Sequence, residues 1–183
     1  NFQASLRALF TAEASLEELV RKLNDLVVSN SSGERFITLF LARYDLRTQV
    51  LEYVNAAHNP PLIIDTLSGT STLLKQSCVG VGMLDEMPFV RTDHLTLNGP
   101  TKIICYTDGL SELKDESGRD LGISPLVKHF PNSRTLSDNI DDLISDLDIS
   151  AGNQRLFDDV SILAIEICPR SQADHEPGIG GSF

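Results

Sequence analysis

The chain has 183 residues, of which 41% are hydrophobic, and this is enough for one domain with a substantial core. Its net charge of −11 excludes nucleic acid and anionic membranes as main partners, because both require clustered lysine and arginine. No apolar run approaches the length of a membrane span, so no membrane insertion is predicted. Cys78, Cys105 and Cys168 are widely spaced beside apolar runs and form no metal-binding pattern, which predicts reduced core residues in a cytoplasmic protein.

Two helical patterns come first along the chain. Residues 2–10 carry apolar side chains on one face, and residues 15–28 follow with a capping-box signature between Ser15 and Glu18. These helices either cover the core or form a homodimer contact, and the sequence leaves both interpretations open.

Alternating and β-branched runs then predict a region rich in strands. The predicted strands are residues 36–44, 50–56, 62–64, 73–74, 89–97, 102–106 and, near the end, 160–167. Further helices are predicted at 124–130, where Ser124 is the expected N-cap and Pro125 follows it, and at 136–147. This order of helices, antiparallel strands, helices and one last strand predicts an α+β layered domain over residues 1–168, and residues 169–183 are predicted to be a disordered tail.

Acidic residues stand at two points where an apolar run meets a polar segment. Asp108 and Gly109 follow the run that ends at Tyr106, and Asp158 and Asp159 precede the final run. Carboxylates at strand ends are the oxygen ligands that Mg²⁺ and Mn²⁺ prefer. Each site also has a plainer interpretation, since Asp108 could cap a short helix and the Asp158-Asp159 pair could be a polar turn.

A third unusual segment runs from residue 55 to residue 61. It contains Asn55, His58 and Asn59 and ends in two prolines. His58 is either a hydrogen-bonded structural residue or a ligand, and both asparagines suit turn-closing positions. The glycine-rich segment 79–83 resembles a phosphate-binding loop only superficially, because it lacks a Lys-Ser/Thr ending and a following helix.

Taken in this order, the segments resemble the SpoIIE-type serine phosphatases, a bacterial branch of the metal-dependent protein phosphatase (PPM) superfamily. The matching segments are residues 36–40, 53–61, 106–112, 118, 121–122 and 158–163, and the resemblance extends over residues 1–168. It implies a PPM-type αββα sandwich, in which two antiparallel sheets are flanked by helices.

The resemblance also implies a site that binds two Mn²⁺ or Mg²⁺ ions. Asp108 and Asp158 correspond to metal ligands, Gly109 to a supporting residue and Asp159 to their neighbour. Asn55, His58 and Asn59 correspond to structural or site-lining positions. The nucleophile in this chemistry is a metal-activated water, so no catalytic side-chain nucleophile is expected.

The function implied is that of a protein serine/threonine phosphatase acting on phosphoserine in a small regulatory protein of the anti-anti-sigma type, with a sensor domain upstream. Ala57 stands where the family usually has glycine, and residues 81–83 match its Pro-Leu-Gly segment only loosely. The family also uses acidic residues upstream of the helix that residues 2–10 resemble. We therefore expect this chain to supply part of the metal site and to leave apolar sheet edges uncovered on the N-terminal side.

Two alternatives from other functional classes remain. A non-catalytic pseudophosphatase would use the same fold to bind a regulatory partner. A ligand-sensing α+β domain fits the length of the chain but not the aspartates at the strand ends.

Overall fold

The computed structural model describes residues 10, 15–31, 35–115, 117–148 and 159–168, and these form two antiparallel sheets between two helical layers. The elements in chain order are α1 (Leu16–Ser31), β1 (Leu39–Asp45), β2 (Val50–Ala56), β3 (Leu62–Asp65), β4 (Ser71–Leu73), β5 (Asp93–Thr96), β6 (Thr101–Tyr106), α2 (Asp108–Ser111), α3 (Ser124–His129), α4 (Leu136–Asp146) and β7 (Ile162–Ile167). This confirms the predicted αββα sandwich.

The first sheet has the order β1-β2-β5 and packs against α1. Ser15 Oγ accepts a hydrogen bond from the backbone N–H of Glu18 at 3.1 Å, so the predicted N-terminal cap of this helix is present. Leu19 and Leu23, at helical spacing, lie in the core that the helix forms with β1 and β2. Alternate residues of β2 therefore face this helix or the second sheet.

The second sheet has the order β4-β3-β6-β7 and is covered by α2, α3 and α4. Its inner strand β6 pairs with β3 on one side and with β7 on the other, and the last β6–β7 pair is Tyr106 with Ile162. Leu110, Leu126 and Leu143 are fully buried between the sheet and the helices. The end of β6 and the start of β7 therefore lie at the same edge of the sheet.

The space between the sheets is filled at its centre and open on one side. Leu51, Ile63 and Ile103 belong to the central core. At the side formed by β1 and β7, a groove of about 620 Å³ remains, and neither strand has a partner on its outer edge within the described residues. Leu163 is 60% and Ile165 45% exposed there.

The predicted strand at residues 89–97 is wrong in its first half, since β5 contains only Asp93–Thr96. The backbone before it bonds with α1 instead of a neighbouring strand. Arg21 Nη1 donates to the carbonyl of Met87 at 2.9 Å, and the backbone N–H of Thr92 donates to Glu17 Oε1 at 3.2 Å. Side chains of a distant helix thus replace the ladder that the alternating pattern predicted.

Of three smaller predictions, one is wrong, one is right in part and one lies mostly outside the described residues. Ile123, not Ser124, occupies the N-cap position of α3, and it makes no side-chain cap bond. The three thiols are free, but only Cys78 is a buried core residue, while Cys105 is half-buried and Cys168 is exposed. The predicted helix at 2–10 and the tail at 169–183 fall outside the described residues, except for Phe10. No helix in the described part of the chain is long and apolar enough to cross a bilayer.

Candidate metal centre

Asp108 lies at the junction between β6 and α2, with its side chain exposed. Gly109 donates its backbone N–H to Asp108 Oδ1 at 3.0 Å, which orients the carboxylate. Thr107, not Asp108, occupies the N-cap position, so the helix-capping interpretation of this aspartate is wrong. Asp108 makes no ion pair with lysine or arginine in the described ranges, and a carboxylate without a protein cation fits a hard metal ion.

The segment around Asp159 lies directly beside this junction. The backbone N–H of Thr107 donates to the carbonyl of Ser161 at 3.1 Å, one step beyond the last strand pair. Thr107 Oγ1 donates to the carbonyl of Asp159 at 2.9 Å and accepts from the backbone N–H of Ser161 at 2.9 Å. Asp159 is exposed, and Asp158, the stronger of the two sequence candidates, lies outside the described residues.

The turn after β2 is built around the buried side chain of Asn55. Its Nδ2 donates to the carbonyl of Leu74 at 3.0 Å, and its Oδ1 accepts the backbone N–H of His58 at 2.9 Å. The chain turns at Ala57, which has a φ of +54°, the left-handed conformation that glycine adopts most easily. The turn-closing role predicted for Asn55 is therefore visible in its contacts.

His58 lies at the same end of the sandwich as Asp108. Burial lowers the pKa of the His58 imidazole, and the negative charge of Asp108 partly opposes that shift. The imidazole is therefore kept mainly neutral near the exposed carboxylate. Asn59, the third residue predicted to line the site, is half-buried, and its side chain forms no hydrogen bond within the described residues.

Sequence reasoning missed two residues that build these turns. Ser77 holds the backbone of Asn55 on both sides, because its Oγ accepts the N–H of Asn55 at 3.2 Å and its own N–H donates to the Asn55 carbonyl at 2.8 Å. Nothing in the local sequence around Ser77 points to a contact 22 residues away. Thr107 is the second, and its place directly before the candidate ligand Asp108 was the available signal.

The donors at this edge suit a hard divalent cation but do not complete its coordination. No group of three or more His, Cys, Asp or Glu side chains able to hold a metal occurs in the part of the chain that the structure describes. Asp108 supplies carboxylate oxygens, Asp159 lies close by, and Mn²⁺ also accepts an imidazole such as that of His58. The described residues could therefore provide some of the ligands of a divalent metal ion.

Comparison with known proteins adds sequence relatives to this geometry. Phosphoserine phosphatase RsbP of Bacillus subtilis (strain 168) is 28% identical over 111 residues, which are 61% of this chain and 27% of RsbP. The chain spans only 23% and 27% of the lengths of two curated relatives that it matches.

Two solved structures have a similar arrangement of helices and strands. The SiaA-PP2C domain of Pseudomonas aeruginosa aligns with a TM-score of 0.74 at 18% identity, covering 91% of this chain and 67% of that domain. RsbX in complex with magnesium aligns with a TM-score of 0.63 at 14% identity, covering 89% of this chain and 71% of RsbX. These alignments establish the fold. Residues 2–167 match the model of the stage II sporulation protein E (SpoIIE) family, and the chain therefore belongs to that family.

Proposed function

We propose that this domain is a metal-dependent protein serine/threonine phosphatase that hydrolyses phosphoserine on a small regulatory protein in a signalling pathway. The main support is the junction of β6 with β7, where the segments bearing Asp108 and Asp159 are hydrogen bonded at one exposed edge. The relative RsbP, named a phosphoserine phosphatase, supports the choice of reaction.

In this proposal, Asp108 and Asp158 hold the metal, with Asp159 as their neighbour. When bound, two Mn²⁺ or Mg²⁺ ions would lower the pKa of a water molecule and stabilise negative charge during in-line attack on phosphorus. Gly109 fixes one oxygen of Asp108 through its N–H and so leaves the other oxygen oriented for a ligand. Neutral His58, with Asn55 beneath it, lines the site.

The partners follow from the same proposal. The substrate is a phosphorylated regulatory protein of the anti-anti-sigma type, the compartment is the cytoplasm, and the domain works downstream of a sensor domain. A homodimer is also part of the proposal, and a contact through α1 would use the exposed charged face of that helix, which includes Glu18 and Lys22, because its apolar face is buried in the core. Nucleic acid does not fit the net charge of −11.

The direct test is Mn²⁺-dependent phosphate release by the full-length protein from a phosphoserine protein or peptide. Asp108→Asn should lower this activity by at least about 100-fold. Substitution of a residue that only supports a metal ligand costs about 10- to 100-fold, and Asp108 is itself a proposed ligand. Its free energy of unfolding without metal should change by less than about 0.5 kcal/mol, because the side chain is exposed. Activity in Asp108→Asn equal to that of the wild type would refute the assignment.

Asp65→Asn is a suitable control. Asp65 also ends a strand of the second sheet, but it pairs with Thr101 at the opposite end from Tyr106. Its Oδ1 closes a local turn by accepting the backbone N–H groups of Leu67 and Ser68 at 2.8 and 3.1 Å. The substitution should leave phosphate release unchanged.

A second candidate function is a pseudophosphatase that binds a regulatory partner without catalysis. The departures from the family pattern at Ala57, which has a φ of +54°, and at residues 81–83 favour it. Calorimetric titration with Mn²⁺ separates the two candidates, since an inactive binding module would take up no metal at Asp108.

A further inference from the structure

The two acidic segments of the candidate site lie just beyond the paired ends of β6 and β7. β6 and β7 are paired as far as Tyr106 and Ile162, and Asp108 then starts α2 while Asp159 lies outside β7. Beyond the last strand pair, the backbone bond from Thr107 to Ser161 is one further link. The distance between Asp108 and Asp159 therefore depends on contacts between Thr107 and the residues before β7.

The side chain of Thr107 supplies two such contacts with one atom. Its Oγ1 donates to the carbonyl of Asp159 and accepts from the N–H of Ser161, both at 2.9 Å. Only a group that is donor and acceptor at once can make this pair of bonds, and a hydroxyl is the smallest side-chain group with that property. Thr107 thus bonds to two residues of the segment that leads into β7, Asp159 and Ser161.

The usual role of a threonine at this position would be to cap the following helix. Thr107 has the extended conformation of an N-cap residue, with φ −85° and ψ 162°, but its side chain makes no bond to the first turn of α2. Its hydroxyl is used instead across the sheet, on a segment more than 50 residues away. The contact therefore stabilises the site edge and not the helix.

We propose that Thr107 is a positioning residue that sets the placement of the backbone at Asp159 and Ser161 relative to Asp108 and thereby tunes metal affinity. The proposal rests on the phosphatase function proposed above. Thr107 touches neither metal nor substrate in this role and acts through the backbone of Asp159 and Ser161.

Two substitutions of Thr107 separate the hydroxyl from the shape of the side chain. Thr107→Val keeps the branched shape and removes both side-chain bonds, while Thr107→Ser keeps the hydroxyl. Thr66→Val is the matched control, because Thr66 Oγ1 donates to the carbonyl of Pro100 at 3.0 Å just after β3, at the opposite end of the sheet. Thr107→Ala removes the same two bonds and serves as a second deletion variant.

The experiment measures Mn²⁺ affinity by calorimetry and the melting temperature without metal. Thr107→Val and Thr107→Ala should bind Mn²⁺ about 10-fold more weakly than the wild type, as expected for a residue that orients a metal ligand. Thr107→Ser should keep the wild-type affinity. Thr66→Val should also keep it, even if its melting temperature falls as much as that of Thr107→Val.

Several results would overturn the proposal. Unchanged Mn²⁺ affinity in Thr107→Val would do so, as would equal weakening in Thr66→Val or a Thr107→Ser variant as weak as Thr107→Val. These results leave the phosphatase assignment intact as long as Asp108→Asn, measured in parallel, loses Mn²⁺ binding. A wild-type full-length protein that binds no Mn²⁺ would remove the proposed function together with this inference.

Discussion

The turn after β2 and the turn after β6 meet at the same site but are built in opposite ways. Asn55, the centre of the first turn, is completely buried, and both ends of its side-chain amide are bonded within the protein. Asp108, the centre of the second, is exposed, and its described side-chain bond is the one to its neighbour Gly109.

This difference separates a structural role from a ligand-binding role. When a buried amide is replaced, the groups that it bonded are left unpaired. Substitutions in the first turn should therefore mainly lower the free energy of unfolding. An exposed carboxylate is solvated in both the folded and the unfolded protein. Substitutions in the second turn should therefore mainly change metal binding at the edge. Asn55 and Asp108 have similar side chains and lie at strand ends of the two facing sheets, and we expect them to have different roles.

The largest expected change in stability comes from Asn55→Leu. The variant leaves the carbonyl of Leu74 and the N–H of His58 without their partner, at a cost of about 3 kcal/mol in the free energy of unfolding. Urea denaturation monitored by circular dichroism measures this change.

The matched control for this variant lies in the same turn. Asn59→Ala removes a half-buried amide that has no side-chain hydrogen bond in the described part of the chain, and it should change the unfolding free energy by less than about 0.5 kcal/mol. Equal destabilisation by both variants would contradict the structural role assigned to Asn55.

A smaller effect, of opposite sign, is expected at Ala57. Its φ of +54° is strained for alanine, so Ala57→Gly should raise the free energy of unfolding by roughly 0.5 to 1 kcal/mol. Ala42→Gly, in the middle of β1, should instead lower it by about 1 kcal/mol, because glycine is unfavourable within a strand. Urea denaturation of the two variants measures both changes. Destabilisation by Ala57→Gly would show that the left-handed turn is not strained.

Much of the fold could be predicted because hydrophobic periodicity reports on local structure. Residues 50–56 are a mainly apolar run with β-branched residues and form β2 with the predicted bounds, and the capping box at Ser15 marks the start of α1. Both features depend on residues close in sequence. The position of Asp108 at a strand end was predictable for the same reason.

The remaining features depend on contacts between distant segments. Residues 89–92 have a strand pattern, but bonds from α1 hold the neighbouring backbone in another conformation. Lys102 falls inside a predicted strand and is nevertheless fully buried, because its Nζ donates to the carbonyls of Asn132 and Arg134 at 2.9 and 2.7 Å. No local pattern indicates these partners, which lie 30 or more residues away.

The bond from Thr107 to Asp159 belongs to the same class, since it spans 52 residues. The resemblance to a family identified the acidic segments that meet at this edge. It did not identify the hydroxyl that joins them. The candidate metal ligands were therefore more predictable from sequence than the residues that hold their backbone in place.

A crystal structure of the protein with Mn²⁺, from data that record the anomalous scattering of manganese, shows whether Asp108 binds the metal. We expect an anomalous peak within coordination distance of the Asp108 carboxylate, at the edge where Ser161 meets the end of β6. Manganese bound only at other acidic surfaces, with none beside Asp108, would contradict it.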